Sequence, residues 1–166
     1  PKHSDPVVRA IFDAYERDAE DPRRAHLGAS QIGKACERAL WYSFRWAQLT
    51  KHEGRLLALF ARGDREEMRL VEDLRRIGVE VEDTDPNTGG QMRVAWLGGH
   101  FGGSCDGVIK GGVPEHESDQ MVLELKTVND RNHKLLVKKG VKEVRPEHFA
   151  QMQVYMRGFG LTRALY

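Results

Sequence analysis

Residues 101–128 constrain the fold more than any other stretch of this chain: Phe-Gly-Gly-Ser-Cys-Asp-Gly-Val-Ile-Lys, a Gly/Pro-rich polar connection, then Met-Val-Leu-Glu-Leu-Lys-Thr-Val. Both arms are β-branched or apolar runs of strand length, and Gly111, Gly112, Val113, Pro114 and the polar residues 115–119 read as a hairpin turn. With the turn centred near Glu115, Asp106 lies opposite Glu124. Side chains alternate along a strand, so Glu124 and Lys126 share a face with Val122 and Val128, while Met121, Leu123 and Leu125 point the other way. Two carboxylates and an ammonium therefore meet on one patch of an otherwise apolar sheet. Charges placed there cost free energy unless they pair or hold a metal. One reading is a solvated cross-strand ion pair. The other is two hard oxygen ligands beside a lysine, an arrangement suited to Mg²⁺ facing a phosphodiester.

A helix over residues 54–77 precedes the hairpin. Leu56, Phe60, Val71 and Leu74 form its apolar stripe, and steps of three and four along that stripe pass through Glu67. Glu67 is thus expected on the core-facing side, with Glu66 turned about 100° away. Gly78 ends this helix, and short strands follow at residues 79–81 and 91–97. His100 reads as a solvated turn residue.

Earlier in the chain, Asp5-Pro6 is a helix start, and Val8, Ile11, Phe12 and Tyr15 carry a first helix to about residue 19 before a break at residues 21–24. Ser30 is expected to cap a second helix reaching about residue 45. Ile32, Cys36 and Leu40 would form its apolar side, with Cys36 a buried small hydrophobe. Lys34, Arg38 and Tyr42, also four apart, would lie on another face. A helix start carrying a hydroxyl and two cations suits phosphate, since its free N–H groups already favour negative charge.

Beyond the hairpin, Asp130 is expected to cap a basic helix through Lys139, with Gly140 as its stop. Another helix starts near Pro146. Phe149, Met152 and Met156 form its core stripe, and Gln151 and Tyr155 lie four apart on an adjacent face. Residues 161–166 begin a strand.

Asp106, then Glu124-x-Lys126 across a hairpin, resembles the PD-(D/E)XK nuclease superfamily; Gly103-Ser104-Cys105-Asp106-Gly107 matches the Gly-x-x-Asp-Gly of many relatives. Gly63-Asp64-Arg65-Glu66-Glu67 resembles the Gly-x-x-x-Glu motif that precedes the hairpin in the RecB-like and phage exonuclease branch, and Gln151-x-x-x-Tyr155 resembles the motif that follows it. The segment from Ser30 to Tyr42 is similar to the N-terminal block of RecB-like phage exonucleases and CRISPR adaptation nucleases. The resemblance covers roughly residues 26 to 166.

It implies an α/β fold, a mixed central β-sheet flanked by helices with a restriction-endonuclease-like core. This is expected as one domain over residues 1–166, with a helical part at 1–53, a nuclease core at 54–166, and a sheet that lacks its C-terminal strands if the chain is a fragment. The implied activity is DNA phosphodiester hydrolysis with Mg²⁺ or Mn²⁺, as an exonuclease of phage or bacterial recombination and repair. An endonuclease on the same core and a non-catalytic DNA-binding protein are the alternatives. Metal ligands would be Asp106, Glu124 and the Leu125 carbonyl, with Glu67 joining directly or through water. Lys126 would act on the attacking water, and Gln151 and Tyr155 would orient the site. Some relatives hold an iron–sulfur cluster through four cysteines; this chain offers no such set, and no cluster is expected.

Composition narrows the class of protein. The 166 residues suit one globular domain, and no run approaches the length of a membrane span or a secretory signal. The expectation is a cytoplasmic protein of a bacterial cell or phage-infected host, with DNA as partner and a recombination protein or further copies of itself as additional partners. Cys36 and Cys105 form neither a metal spacing nor a disulfide framework. The net charge is only +1, yet Arg131, Lys134, Lys138, Lys139, Lys142 and Arg145 crowd into one segment. Together with Ser30, Lys34 and Arg38, the residues Arg131, Lys134, Lys138 and Lys139 are the candidate phosphate contacts.

Overall fold

The hairpin forms with the expected register. In the computed structural model, which describes residues 5–20, 23–47 and 49–166, β5 (Gly107–Gly111) pairs antiparallel with β6 (Met121–Leu123), Gly107 opposite Leu123 and Ile109 opposite Met121. Continuing that register by one residue brings Asp106 opposite Glu124. The turn is closed by a bridge between Val113 and His116, with Glu115 at positive φ.

Around the hairpin stand α1 (Pro6–Arg17), β1 (Leu27–Gly28), α2 (Glu37–Phe44), α3 (Gly54–Arg76), β2 (Glu80–Glu82), β3 (Arg93–Trp96), β4 (Phe101–Ser104), α4 (Asp130–Lys139), α5 (Val141–Val144), α6 (Pro146–Phe159) and β7 (Ala164–Leu165). The strands form two sheets, in the orders β2-β5-β6-β7 and β1-β4-β3. β7 runs parallel to β6 and β1 parallel to β4, so both sheets are mixed. The fold is α/β with helices against the sheets. The chain leaves one sheet and enters the other at Cys105 and Asp106, which places Asp106 on the seam.

Alternation on the hairpin divides the core in two. Val108 and Val122 pack with Tyr155 of α6, Ala29, Val94 and Cys105. Ile109, Met121 and Leu123 face Val71 of α3, with Val79 and Val81. Burying a branched aliphatic side chain contributes about 1.5–3 kcal/mol, so these two clusters fix the hairpin between α3 and α6. α3 crosses the far end of the hairpin at Gly63, where a Cβ would stand 3.6 Å from Thr127 Oγ1.

Several expectations are corrected. The single helix over residues 30–45 is interrupted: a 3₁₀ turn covers Ala29–Gln31, the chain turns at Gly33, and α2 begins only at Glu37. Gly33 is seated against the α6 backbone, where a Cβ would be 2.5 Å from Glu147 Cα. That close approach outweighs continuing a helix through a residue that disfavours it by about 1 kcal/mol. Ser30 is therefore inside the 3₁₀ turn rather than a cap, Lys34 is off the helix, and Cys36 is an exposed N-cap residue rather than a buried hydrophobe. Ile32 is exposed as well, so the proposed stripe does not exist.

α3 has the expected bounds to within a residue, but Leu56 and Phe60 at its start are exposed and only its later turns enter the core. α4 is capped by Asn129, whose side chain accepts from Asn132 N, so Asp130 is its first residue instead. β1 and the short α5 went unpredicted. The expected break at 21–24 falls partly on residues 21 and 22, outside the described residues. No helix among those described is long and apolar enough to cross a membrane.

Candidate active site

Asp106, Glu124, Lys126, Glu67, Gln151 and Tyr155 are brought together where the hairpin ends meet α3 and α6. Glu124 is 1% exposed, as the alternation rule demands of a residue on the face of fully buried Val122. Its Oε1 lies 2.5 Å from Lys126 Nζ. Apart from that ion pair, neither carboxylate oxygen has a well-aligned hydrogen-bond donor among the described residues. Lys126 Nζ also donates to the Leu125 carbonyl at 3.0 Å and stands 3.9 Å from Asp106 Oδ2. The opposite side of that seam is closed by Leu125 N–H, which donates to the same Asp106 oxygen at 2.5 Å.

Three oxygens from Asp106, Glu124 and Leu125 thus surround one positive charge. Among the described residues no three His, Cys, Asp or Glu side chains close on a common point by themselves; the hairpin oxygens close on the lysine ammonium. This donor set fits a small hard cation. It is all oxygen, carries two formal negative charges, and includes a fully buried carboxylate met only by Lys126 and the Gln151 side chain.

Glu67 joins from α3. It is hydrogen-bonded to Asp106, and its carboxyl is raised to about 7 by burial, then by the Asp106 charge and that hydrogen bond. Glu124 is also raised to about 7, chiefly by burial and further by Asp106, with Lys126 opposing. Burial works against the charge on Lys126, yet Glu124, Asp106 and Glu67 together raise its pKa and hold it as an ammonium. Glu66, one residue away, pairs instead with Arg69 at 2.8 Å on the exposed surface. The assignment of directions to the two glutamates follows the 100° step of the helix.

α6 supplies the roof. Gln151 and Tyr155 are 5% and 2% exposed, more buried than the apolar Phe149 and Met156 beside them. Gln151 Nε2 donates to Tyr155 Oη at 3.2 Å, and Tyr155 Oη donates to the Ser104 carbonyl at 2.6 Å. This chain ties α6 to the strand that leads into Asp106. Gly103 makes room for it, since a Cβ there would lie 2.8 Å from Tyr155 Oη and 3.1 Å from Ala29 Cβ. Burial pushes the Tyr155 phenol well up, and Cys105 to about 12, so neither ionises near neutrality.

A cleft of about 330 Å³ opens beside Gln151 and Tyr155, lined also by Arg24, His26, Ser30, Gln91 and Arg93. His26 is lowered by burial and by the nearby Arg93 and Arg24 charges. Sequence reasoning found Ser30 but missed Arg24, His26 and Arg93. They come from two segments far apart in the chain, residues 24–26 and Arg93, so no local spacing links them; only the β1–β4–β3 sheet does. It also missed His148, three residues before Gln151 on the same side of α6, whose Nδ1 lies 2.8 Å from Tyr166 Oη.

The remaining phosphate candidates are scattered. Lys34 and Arg38 are exposed on the segment leading into α2 and on α2 itself. In the basic segment, Lys134 pairs with Asp130 at 2.8 Å and Lys139 with Glu143, while Arg131 and Lys138 are exposed. His100 is exposed, with its ring edge-on to Phe44.

No protein-family model matches the chain, and no curated protein matches it. The crystal structure of an alkaline exonuclease from Laribacter hongkongensis does match, at a TM-score of 0.53 and 21% identity, over 93% of this chain and 70% of that one. The two chains share a fold.

Proposed function

We propose that this protein is a DNA nuclease of the PD-(D/E)XK type, a RecB-like exonuclease, with the site just described as its catalytic centre. The observation that carries the reading is the set of hairpin oxygens, Asp106 Oδ2, Glu124 Oε1 and the Leu125 carbonyl, gathered around a single cation. A binding-only protein gains nothing from carboxylates that repel phosphate. The likeness of fold to an alkaline exonuclease supports the same reading.

Asp106, Glu124 and the Leu125 carbonyl would hold Mg²⁺ or Mn²⁺, with Glu67 completing the set. Such an ion, when bound, polarises a phosphate and acidifies water. The chain's own residues do the rest. The Lys126 ammonium would orient the nucleophilic water and offset charge that develops on the phosphoryl oxygens. Glu67, raised to about 7 by burial and by the Asp106 charge, gives up its proton as the pH rises, which makes the site more anionic under alkaline conditions. Gln151 and Tyr155 hold α6 against the Ser104 carbonyl and so fix the position of Asp106. Arg24, His26, Arg93 and Ser30 line a cleft of the right charge for a strand phosphate, and Arg131 and Lys138 add sequence-independent contacts.

DNA from phage or bacterial recombination in the cytoplasm is the proposed substrate, acted on by one domain alone, with a partner protein or with further copies. The test is a time course on end-labelled linear DNA and on closed circular DNA, with Mg²⁺ and with EDTA. Release of nucleotides from linear DNA only, abolished by EDTA, is the expected result. Nicking of the circle would assign the same centre to an endonuclease, and no cleavage of either would overturn the proposal. Charge reversal at Lys138 and Lys139 should weaken binding on all sequences alike and flatten its salt dependence.

A further inference from the structure

α2 presents a surface that its own packing does not explain. Arg38, Trp41, Tyr42 and Arg45 follow one another at i, i+3, i+4 and i+7, which places all four on one side of the helix. All four are exposed, Trp41 at 56%, and neither arginine is ion-paired among the described residues. Trp41 and Tyr42 stand edge to face, with ring centroids 5.4 Å apart.

The helix then ends in an unusual way. Trp46 N–H donates to the Ser43 carbonyl and Ala47 N–H to the Tyr42 carbonyl, the two bonds of a left-handed helix stop, with Trp46 at φ +56° in the place glycine normally takes. A bulky residue held in that region is strained. The strain is sustained by the indole itself, whose Nε1–H donates to the Arg24 carbonyl at 2.8 Å. Trp46 is nevertheless 49% exposed, so one edge of the ring is fixed and a large part of its surface is left open. Arg24, to which it is fixed, lines the cationic cleft beside Gln151 and Tyr155.

We infer that the Arg38, Trp41, Tyr42 and Arg45 face of α2, together with Trp46, is a stacking platform for an unpaired DNA strand that leads into the cleft at Arg24, His26 and Arg93. Rings alternating with cations are the means by which single strands are held: every base has a face to stack, and the arginines meet the phosphates between. A duplex hides its base faces and cannot use the rings. A second copy of this chain is a poor occupant, because a two-fold contact would set Arg38 and Arg45 against their own counterparts. The inference rests on the nuclease reading for the strand's destination, and its test is independent of hydrolysis.

Binding is measured in EDTA by anisotropy of a labelled oligothymidine of about 16 nucleotides and of a duplex of equal length. Trp41→Ala and Trp46→Ala should each weaken the single strand roughly tenfold and leave the duplex within about twofold; Trp41→Phe should retain most of the affinity. In a Trp96→Phe background, oligothymidine should quench the emission of the two remaining tryptophans. That readout keeps the test valid if Trp46→Ala does not fold. Equal losses on both DNAs, an unquenched emission, or light scattering that shows a wild-type oligomer dissociating in the ring variants would each overturn the platform. If wild type hydrolyses DNA while the rings prove indifferent, the platform falls and the nuclease stands. If no DNA is hydrolysed while the rings still discriminate single strand from duplex, the reverse holds.

Discussion

The hairpin with α6 and the two N-terminal helices, α1 and α2, hold their side chains by opposite means. In the first, polar and apolar groups alike are buried: Glu124, Gln151 and Tyr155 lie as deep as Val122 and Met152. In the second, neither α1 nor α2 has a fully buried residue, although α1 is strongly amphipathic and capped by Asp5 through two backbone N–H groups. Buried polar groups are tolerated only when satisfied or functional, and on the proposed reading those of the first region serve the catalytic centre. Apolar side chains left half-covered cost little and commit a surface to contact.

The contrast predicts where substitutions will be felt. The largest effect is expected at the hairpin: Asp106→Asn or Glu124→Gln should lower DNA hydrolysis by roughly 10³-fold or more with DNA binding equal or stronger, as read by single-turnover assay and anisotropy. Normal hydrolysis by either would remove the pair from the chemistry. Next is the comparison across one helix step. Glu67→Gln should reduce metal-dependent cleavage by roughly 10²-fold, and Glu66→Gln, on the Arg69 side, by less than about twofold. An inactive Glu66→Gln with an active Glu67→Gln would show that the centre is reached from the other side of α3.

Stability should follow the titration of the same carboxyls. Glu67 and Glu124 are raised from the usual 4.5 to about 7, so the folded protein binds more protons than the unfolded chain between those values. Stability drawn from their protonated forms is complete below about 4.5 and is lost as the pH rises through about 7. The metal-free protein should therefore melt lower at pH 8 than at pH 6 by an amount that Glu124→Gln reduces, on the order of 2 kcal/mol at most. Saturating Mg²⁺ should restore the loss at pH 8, since binding needs the ionised groups. A pH slope unchanged in Glu124→Gln would place its origin elsewhere.

The smallest effect is expected on the exposed face near the start of α3, where that helix begins against α1. Leu59→Ala should alter stability by no more than about 0.5 kcal/mol in denaturant melts, against about 1–3 kcal/mol for Val122→Ala, although both remove an aliphatic side chain. Similar costs would mean that Leu59 is covered in solution.

The same contrast governs what could be read from the residues alone. Hairpin register, the direction of Glu67 and the Gln151–Tyr155 spacing were legible because burial enforces periodicity, and a slip of one residue would expose every apolar side chain on the strand. At residues 30–45 the helical spacing of Ile32, Cys36 and Leu40 was present, but Ile32 and Cys36 are exposed and only Leu40 is half-buried. There the decisive interaction is Gly33 against Glu147, a contact across more than a hundred residues that leaves no mark in local pattern. The cationic cleft was invisible for the same reason: Arg24, His26 and Arg93 become neighbours only after β1 and β3 flank β4. The split into two sheets turns on Cys105 and Asp106, a two-residue break in one otherwise continuous extended run.

Lys126 has a consequence for the order in which the protein is assembled. A cluster of acids with no internal counter-charge would have to wait for an ion before the surrounding chain could close over it. Here the ammonium travels on the same strand as Glu124, one residue beyond the carbonyl it also binds. The chain carries its own counter-charge into the centre, so closing the fold around these acids needs no added ion. On the proposed reading, loading would exchange one cation for another and would leave the lysine free to face the substrate.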